Sequence, residues 1–293
     1  MALVSYSDSE SDSDPTTTDT TLDIPPRKKL RQSDNTTTKP ALLPPLPTAF
    51  HDLYASTTRV SVRDDPSLHG GRKRVIPHVE GNWPTHLYLE WYPQRNELDV
   101  LNDILTKCGT EKKKVHTLLR SDLDVQLPLH ISLSRPVVLE TDQKQPFADA
   151  FERAVQESSA KAFNAIPESL DWVSNAEKTR WFLVMRIKKP PHDQLNTLLR
   201  ISNQTLTIFG QPCLYTTTFS NSSSSSSSAY KDFSDRFHIS LAWSLTAPSI
   251  DDQTRISGID LTPLEESLDI VFSSVKVKIG NVVKSLPLDR AID

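Results

Sequence analysis

From Gly81 onward the chain alternates between two hydrophobic rhythms. Runs with apolar residues at nearly every position or every second one predict strands, and runs with apolar residues three and four apart predict amphipathic helices. Residues 85–92, rich in Leu, Tyr and Trp, are a predicted strand. After Asn96, a candidate cap, Leu98, Leu101, Ile104 and Leu105 recur at helical spacing. Strands are expected at 115–119 and 129–139, followed by a helix carrying Phe147, Ala150, Phe151, Ala154 and Val155. These elements form a first lobe.

The second lobe is expected to begin with strands at 170–173 and 181–187 and a helix opened by Pro190 and Pro191, with Leu195, Leu198 and Leu199 on one face. Strands at 236–244 and 270–278 complete it, the latter alternating Val275, Val277 and Ile279 with Lys276 and Lys278. Helices and strands do not alternate strictly, so the pattern implies an α+β architecture rather than a doubly wound parallel sheet.

No such rhythm runs through residues 1–75. Acidic-Ser repeats, a Thr-rich stretch and a proline cluster from Pro40 to Pro47 bury too little apolar area to offset chain entropy, so this segment reads as a disordered tail and 76–293 as the two-lobed domain. The tail carries two basic clusters, Arg27-Lys28-Lys29-Leu30-Arg31 and Arg72-Lys73-Arg74, which suit nuclear import, phosphate contact or simple solubility. A serine run at 220–228, with one Asn inside it, reads as a flexible insertion just before the strand at 236.

Composition narrows the function by exclusion. The seven glycines include no set spaced as a dinucleotide fingerprint or a phosphate-cradling loop. Cys108 and Cys213 are the only cysteines, too few for a disulfide framework or a thiolate metal site, and they suit a reducing compartment. The net charge of -4 means that any nucleic-acid contact comes from a local patch. Without eighteen consecutive apolar residues or a basic segment leading into an apolar run at the N-terminus, the expectation is an intracellular protein with no membrane partner.

One feature points to chemistry: the tetrapeptide His130-Ile131-Ser132-Leu133 recurs as His238-Ile239-Ser240-Leu241, once in each half of the folded region. A single His-x-Ser is weak, and either histidine alone reads as a hydrogen-bonded structural residue. Their repetition in matched strand settings reads as a site. On a strand, His and Ser share one face while Ile and Leu share the other. Two such strands across a cleft bring together two imidazoles, able to accept and donate a proton near neutral pH, and two hydroxyls, able to hold the oxygens of a phosphate. No metal or cofactor is required, and an RNA substrate brings its own nucleophile in its 2′-hydroxyl. The remaining histidines, His51, His69, His78, His86, His116 and His192, lack partners at metal-ligand spacing and read as surface or packing residues.

Two His-x-Ser motifs in two halves resemble the 2H phosphoesterases. The blocks Gly81 to His86, Glu177 to Arg180 and Arg236 to Trp243 are similar to those of one branch, the spliceosomal U6 small nuclear RNA phosphodiesterases. The resemblance covers Gly81 to the C-terminus. It implies a LigT-like fold with two pseudo-symmetric lobes whose antiparallel sheets line a central groove. It also implies a nuclear, metal-independent 3′-to-5′ exoribonuclease that removes 3′-terminal uridines by 2′-hydroxyl attack, leaving a 2′,3′-cyclic phosphate or a further processed 3′-phosphate. His130 is then the general base, His238 the general acid, and Ser132 and Ser240 the phosphate contacts. The family stacks a base on a tyrosine shortly before the second motif; Tyr230 is the candidate here, with Phe233 as the alternative. Arg236 is a candidate phosphate contact or a solvated flank of its strand. RNA is the one partner implied, with no cofactor and no obligate protein partner, so the chain is expected to act as a monomer. Two other readings remain open: a cyclic phosphodiesterase or RNA-ligase relative acting on tRNA splicing ends or cyclic nucleotides, and a non-catalytic spliceosome-associated RNA-binding module.

Overall fold

The first strand, β1 (Asn82–Trp91), shows how the sequence builds one wall of the protein. Thr85, Leu87, Leu89 and Trp91 are buried on one face, while the intervening His86, Tyr88 and Glu90 take the other. In the computed structural model, residues 79–108, 115–121, 123–175, 177–215 and 231–290 are described, all within the unit Leu46–Asp293. The expected tail, the serine run and Tyr230 lie outside these residues.

β1 sits inside a five-stranded sheet with β3 (Leu129–Ser132), β4 (Val137–Glu140), β10 (Ser274–Ile279) and β11 (Val282–Pro287). A second sheet runs in the order β2 (His116–Thr117), β8 (His238–Ser244), β7 (Trp181–Ile187), β6 (Pro167–Ser174). A two-stranded ladder joins β5 (Phe163–Ala165) to β9 (Ile270–Phe272). The ladders among the described residues are antiparallel, so the α+β expectation holds.

Among the described residues, five α-helices pack around the sheets. α1 (Arg95–Cys108) buries Leu98, Leu101, Ile104 and Cys108, and α2 (Lys144–Glu157) buries Phe147, Phe151 and Val155, each set at helical spacing. α3 (Gln194–Ile208) lies against α2, with Phe147 edge-on to Phe209 at 5.2 Å. α4 (Ile250–Ser257) starts with a reciprocal Ser249–Asp252 capping box, and α5 (Thr262–Ser267) has a proline in its first turn. One continuous buried cluster links the elements, with Phe147, Phe151, Phe237 and Phe272 among its largest fully buried side chains. Among the described residues no helix is long and apolar enough to cross a membrane.

Several expected boundaries shift for physical reasons. Asn96 lies inside α1; the buried Glu97 accepts the Gln94 amide there, and its other carboxylate oxygen accepts the Asp269 amide. The run 129–139 divides at Arg135-Pro136, since proline cannot donate to a ladder, and the Ser134 hydroxyl instead accepts the Leu87 amide at 2.8 Å. The expected strand at 115–119 shortens to His116–Thr117, with the Leu118 amide donating to the Leu241 carbonyl just beyond it. The run 270–278 breaks at Ser273 because its two halves pair with different partners, β5 and β1. β10 therefore completes the first sheet rather than the second lobe, and β2 crosses to the second sheet. Arg236 sits in a short 3-10 turn (Ser234–Arg236) ahead of β8, not in the strand, because Asn196 and Asp232 accept the amides of Phe233 and Ser234.

Candidate active site

The two tetrapeptides occupy β3 and β8, and these strands lie against one another where the sheets meet. In each copy the apolar residues are core: Ile131, Leu133, Ile239 and Leu241 are at most 1% exposed. His130, Ser132, His238 and Ser240 take the opposite, accessible face. Together they line the accessible face where the two strands meet, the groove of this site. A separate cavity of about 1040 Å³, lined by α3 and by Lys231, Asp232 and Phe233, does not include the histidines.

His130 is open to the groove on one side and walled by protein elsewhere. His86 meets it edge-on at 5.5 Å and Tyr88 at 5.6 Å, while His86 and Tyr88 stack on each other at 5.1 Å. Desolvation, then the nearby His238 charge, then Lys278 push the His130 imidazole down to about 4. The imidazole is therefore neutral near neutral pH. Lys278 stands opposite His86 in the β1–β10 ladder and puts a cation beside the histidines, and Glu90, opposite His130, is ion-paired to Lys276 at 3.4 Å.

His238 is held from its other nitrogen. Its Nδ1 lies 2.7 Å from the Arg236 carbonyl oxygen, which can only accept, so Nδ1 carries hydrogen. The Tyr215 hydroxyl donates to the same carbonyl at 3.0 Å. Arg186, opposite His238 in the β7–β8 ladder, donates to the Asp235 carbonyl and to the Asp171 carboxylate, both at 2.9 Å. Burial lowers the His238 pKa; the Arg236 carbonyl opposes this, Arg186 adds to the lowering and Asp171 works against it.

The sequence did not single out His86, yet its Nε2 lies 3.2 Å from Ser132 Oγ. The available signal was its parity: it shares a strand face with Tyr88 and Glu90, away from Leu87 and Leu89. Tyr215 was also missed. Phe233 is partly buried against the core, with Tyr215 at 6.0 Å and the Lys231 ammonium 5.6 Å from its ring centre. The Arg236 guanidinium is exposed and pairs with Asp235 at 3.2 Å. His116 is a packing residue, stacked on Trp243 at 4.1 Å.

The motif blocks around the site are partly structural. Gly280 has positive φ, and a Cβ there would approach Trp83 to 2.7 Å, so the β10–β11 turn needs glycine for its backbone and for the indole. The Glu177–Arg180 segment is a turn organised by Asn175, whose side-chain oxygen accepts the amides of Thr179 and Arg180. Among the described residues no cluster of three or more His, Cys, Asp or Glu side chains is arranged to hold a metal ion.

Two sheets that each present a His-x-Ser strand to one groove define a two-histidine phosphoesterase fold. The solved structure of Kluyveromyces marxianus Usb1 shares this fold with a TM-score of 0.53 at 16% identity, over 70% of this chain and 98% of that one. The same protein with uridine monophosphate gives 0.52 at 16%, over the same shares. A family model named HVSL, described as an uncharacterised conserved protein, matches residues 44–287, beginning inside the segment read as a tail. U6 snRNA phosphodiesterase 1 of Neurospora crassa is 34% identical over 284 residues, covering 84% of this chain and 74% of the relative. Its namesake in Homo sapiens is 28% identical, covering 83% of each chain. The chain belongs to the HVSL family, by a match over more than half of its length, and to the family of these U6 snRNA phosphodiesterases, by its 34% identity to one of them.

Proposed function

We propose that the protein is a metal-independent 3′-to-5′ exoribonuclease that trims terminal uridines from U6 small nuclear RNA. The observation that carries this reading is the convergence of His130 and His238 on one groove face, in a chain 34% identical to a U6 snRNA phosphodiesterase. His130, neutral, takes the proton of the penultimate nucleotide's 2′-hydroxyl as that oxygen bonds to phosphorus. The bond from phosphorus to the 5′-oxygen of the terminal nucleoside breaks, and protonated His238 gives its Nε2 hydrogen to that oxygen. The products are a free nucleoside and an RNA one residue shorter with a 2′,3′-cyclic phosphate.

Ser132 and Ser240 donate to the non-bridging oxygens, where charge develops. Lys278 supplies a cation nearby, and Arg236 is a further phosphate contact from the rim. Tyr230 stacks the terminal base, holding it with little demand on its identity. The enzyme acts as a monomer on RNA in the nucleus, with the tail's basic clusters as the import signal.

The test is incubation of purified protein with a 3′-oligouridylated RNA in EDTA, beside a cyclic mononucleotide. Stepwise shortening of the RNA is expected. Intact RNA with hydrolysed mononucleotide would replace the reading with a small-molecule cyclic phosphodiesterase, and RNA binding without product would replace it with a binding module.

A further inference from the structure

We propose that His86 is a positioning residue of the site, acting through Ser132 to hold one of the two phosphate-binding hydroxyls in place. The proposal rests on the phosphodiesterase reading above. Its starting point is the 3.2 Å separation of His86 Nε2 and Ser132 Oγ, a contact between neighbouring strands of the first sheet. β1 and β3 pair with Tyr88 opposite Ser132, so His86 lies one step along the same face and reaches across diagonally.

A serine side chain alone can occupy several rotamers, and only an oxygen turned into the groove meets a phosphate. The hydroxyl has one hydrogen and two lone pairs, so a bond to His86 fixes Oγ and leaves capacity toward the groove. When Nε2 carries the ring hydrogen, His86 donates to Oγ and the serine hydrogen is free for a non-bridging oxygen. The imidazole is itself held in place. It stacks on the buried Tyr88 at 5.1 Å and packs against the edge of His130. Burial, then the charges of His130 and Lys278, depress it to about 3 against an opposing bond to the Ser134 backbone, so it adds no positive charge beside His130.

The two motif copies are therefore supported differently. In the first, the serine is tied, to His86; in the second, the histidine is tied, to the Arg236 carbonyl. The pseudo-symmetric sequence conceals this division, because the supporting groups lie outside the repeat.

The experiment is a double-mutant cycle on RNA trimming with His86→Ala, Ser132→Ala and the pair, plus His86→Gln, whose amide reaches to the Nε2 position. Each single alanine variant should lose about 10- to 100-fold in turnover, the range for a hydrogen bond to a charged group. The double variant should be no slower than Ser132→Ala. His86→Gln should recover most of the loss, with thermal unfolding near wild type. Additive losses, or full activity in His86→Ala, would overturn the role of His86 while leaving the wild-type activity intact. A wild-type protein that does not trim RNA would instead overturn the underlying function. If His86→Ala unfolds, His86→Phe, which keeps the ring packing but not the Nε2 contact, takes its place in the cycle: a loss in the single variant that vanishes in the Ser132→Ala background is expected, and additive losses would overturn the role.

Discussion

Nδ1 of His238 donates to the carbonyl oxygen of Arg236, two residues earlier, at 2.7 Å. This bond places a hydrogen on Nδ1 and favours the protonated ring, which suits the general acid of the proposed reaction. His130 has no such support for its charged form: burial, His238 and Lys278 all disfavour its proton. In the proposed reaction the two histidines, alike in sequence, are divided in role by their surroundings.

Under the proposed function, the division between strand faces separates catalysis from folding. His130→Ala and His238→Ala are expected to lower the trimming rate by about 10²–10⁴, the usual contribution of a general acid or base, with thermal stability near wild type. Ile131→Ala and Ile239→Ala, at core positions, are expected to cost about 2–5 kcal/mol in stability. Rates and unfolding curves on the four proteins check this.

The pH dependence of kcat/KM should be bell-shaped, with its maximum on the acid side of 6.5. The acid limb reports loss of the neutral base near about 4, and the basic limb reports loss of the His238 proton at its lowered pKa. Arg186→Gln removes a nearby cation and is expected to move the basic limb to higher pH. Asp171→Asn removes an anion and is expected to move it lower. Shifts in the opposite directions would contradict the electrostatic arrangement around His238.

Stability should fall as the solution is acidified. His86 and His130, ordinarily near 6.5, are held down to about 3 and about 4 in the fold, so the unfolded chain takes up their protons first. The stabilisation is complete above about 6.5 and is lost progressively as pH falls toward those lower values. A melting series from neutral to pH 4 should show this decline, with a shallower slope in His86→Gln and His130→Gln. Identical slopes in all three proteins would exclude the linkage.

Tyr215 is buried enough that its hydroxyl is pushed up to about 12, and it donates to the carbonyl that holds His238. Tyr215→Phe is expected to cost about 0.5–1.5 kcal/mol in stability, as for a lost hydrogen bond. It should also lower kcat more than it raises KM, since a looser Arg236 carbonyl misdirects the acid. Unfolding curves and steady-state kinetics separate the two effects.

Much of this was legible in the sequence because it was periodic. The helices carrying Leu98, Leu101 and Ile104, and Phe147, Phe151 and Val155, announce themselves by spacing, as does the strand Trp181–Ile187. Pairing was not legible. Nothing local in 270–278 reveals that its halves serve different ladders, and β11, with Val282 and Lys284 exposed, lacks the apolar density that marks a strand. α4 and α5 are too short to show a period. His86 and Tyr215 act on the motif residues from other elements, so only the folded arrangement relates them to the repeat.

In the proposed reaction two histidines act on a nucleophile supplied by the substrate. The direct measurement is trimming of two oligouridylated RNAs, one with a 2′-deoxy residue at the penultimate position and one with it at the terminal position. The first should not be shortened at all, and the second should lose its terminal residue at the rate of unmodified RNA. Removal of the terminal residue from the penultimate 2′-deoxy RNA at an undiminished rate would show that the nucleophile is not the 2′-hydroxyl and would contradict the mechanism.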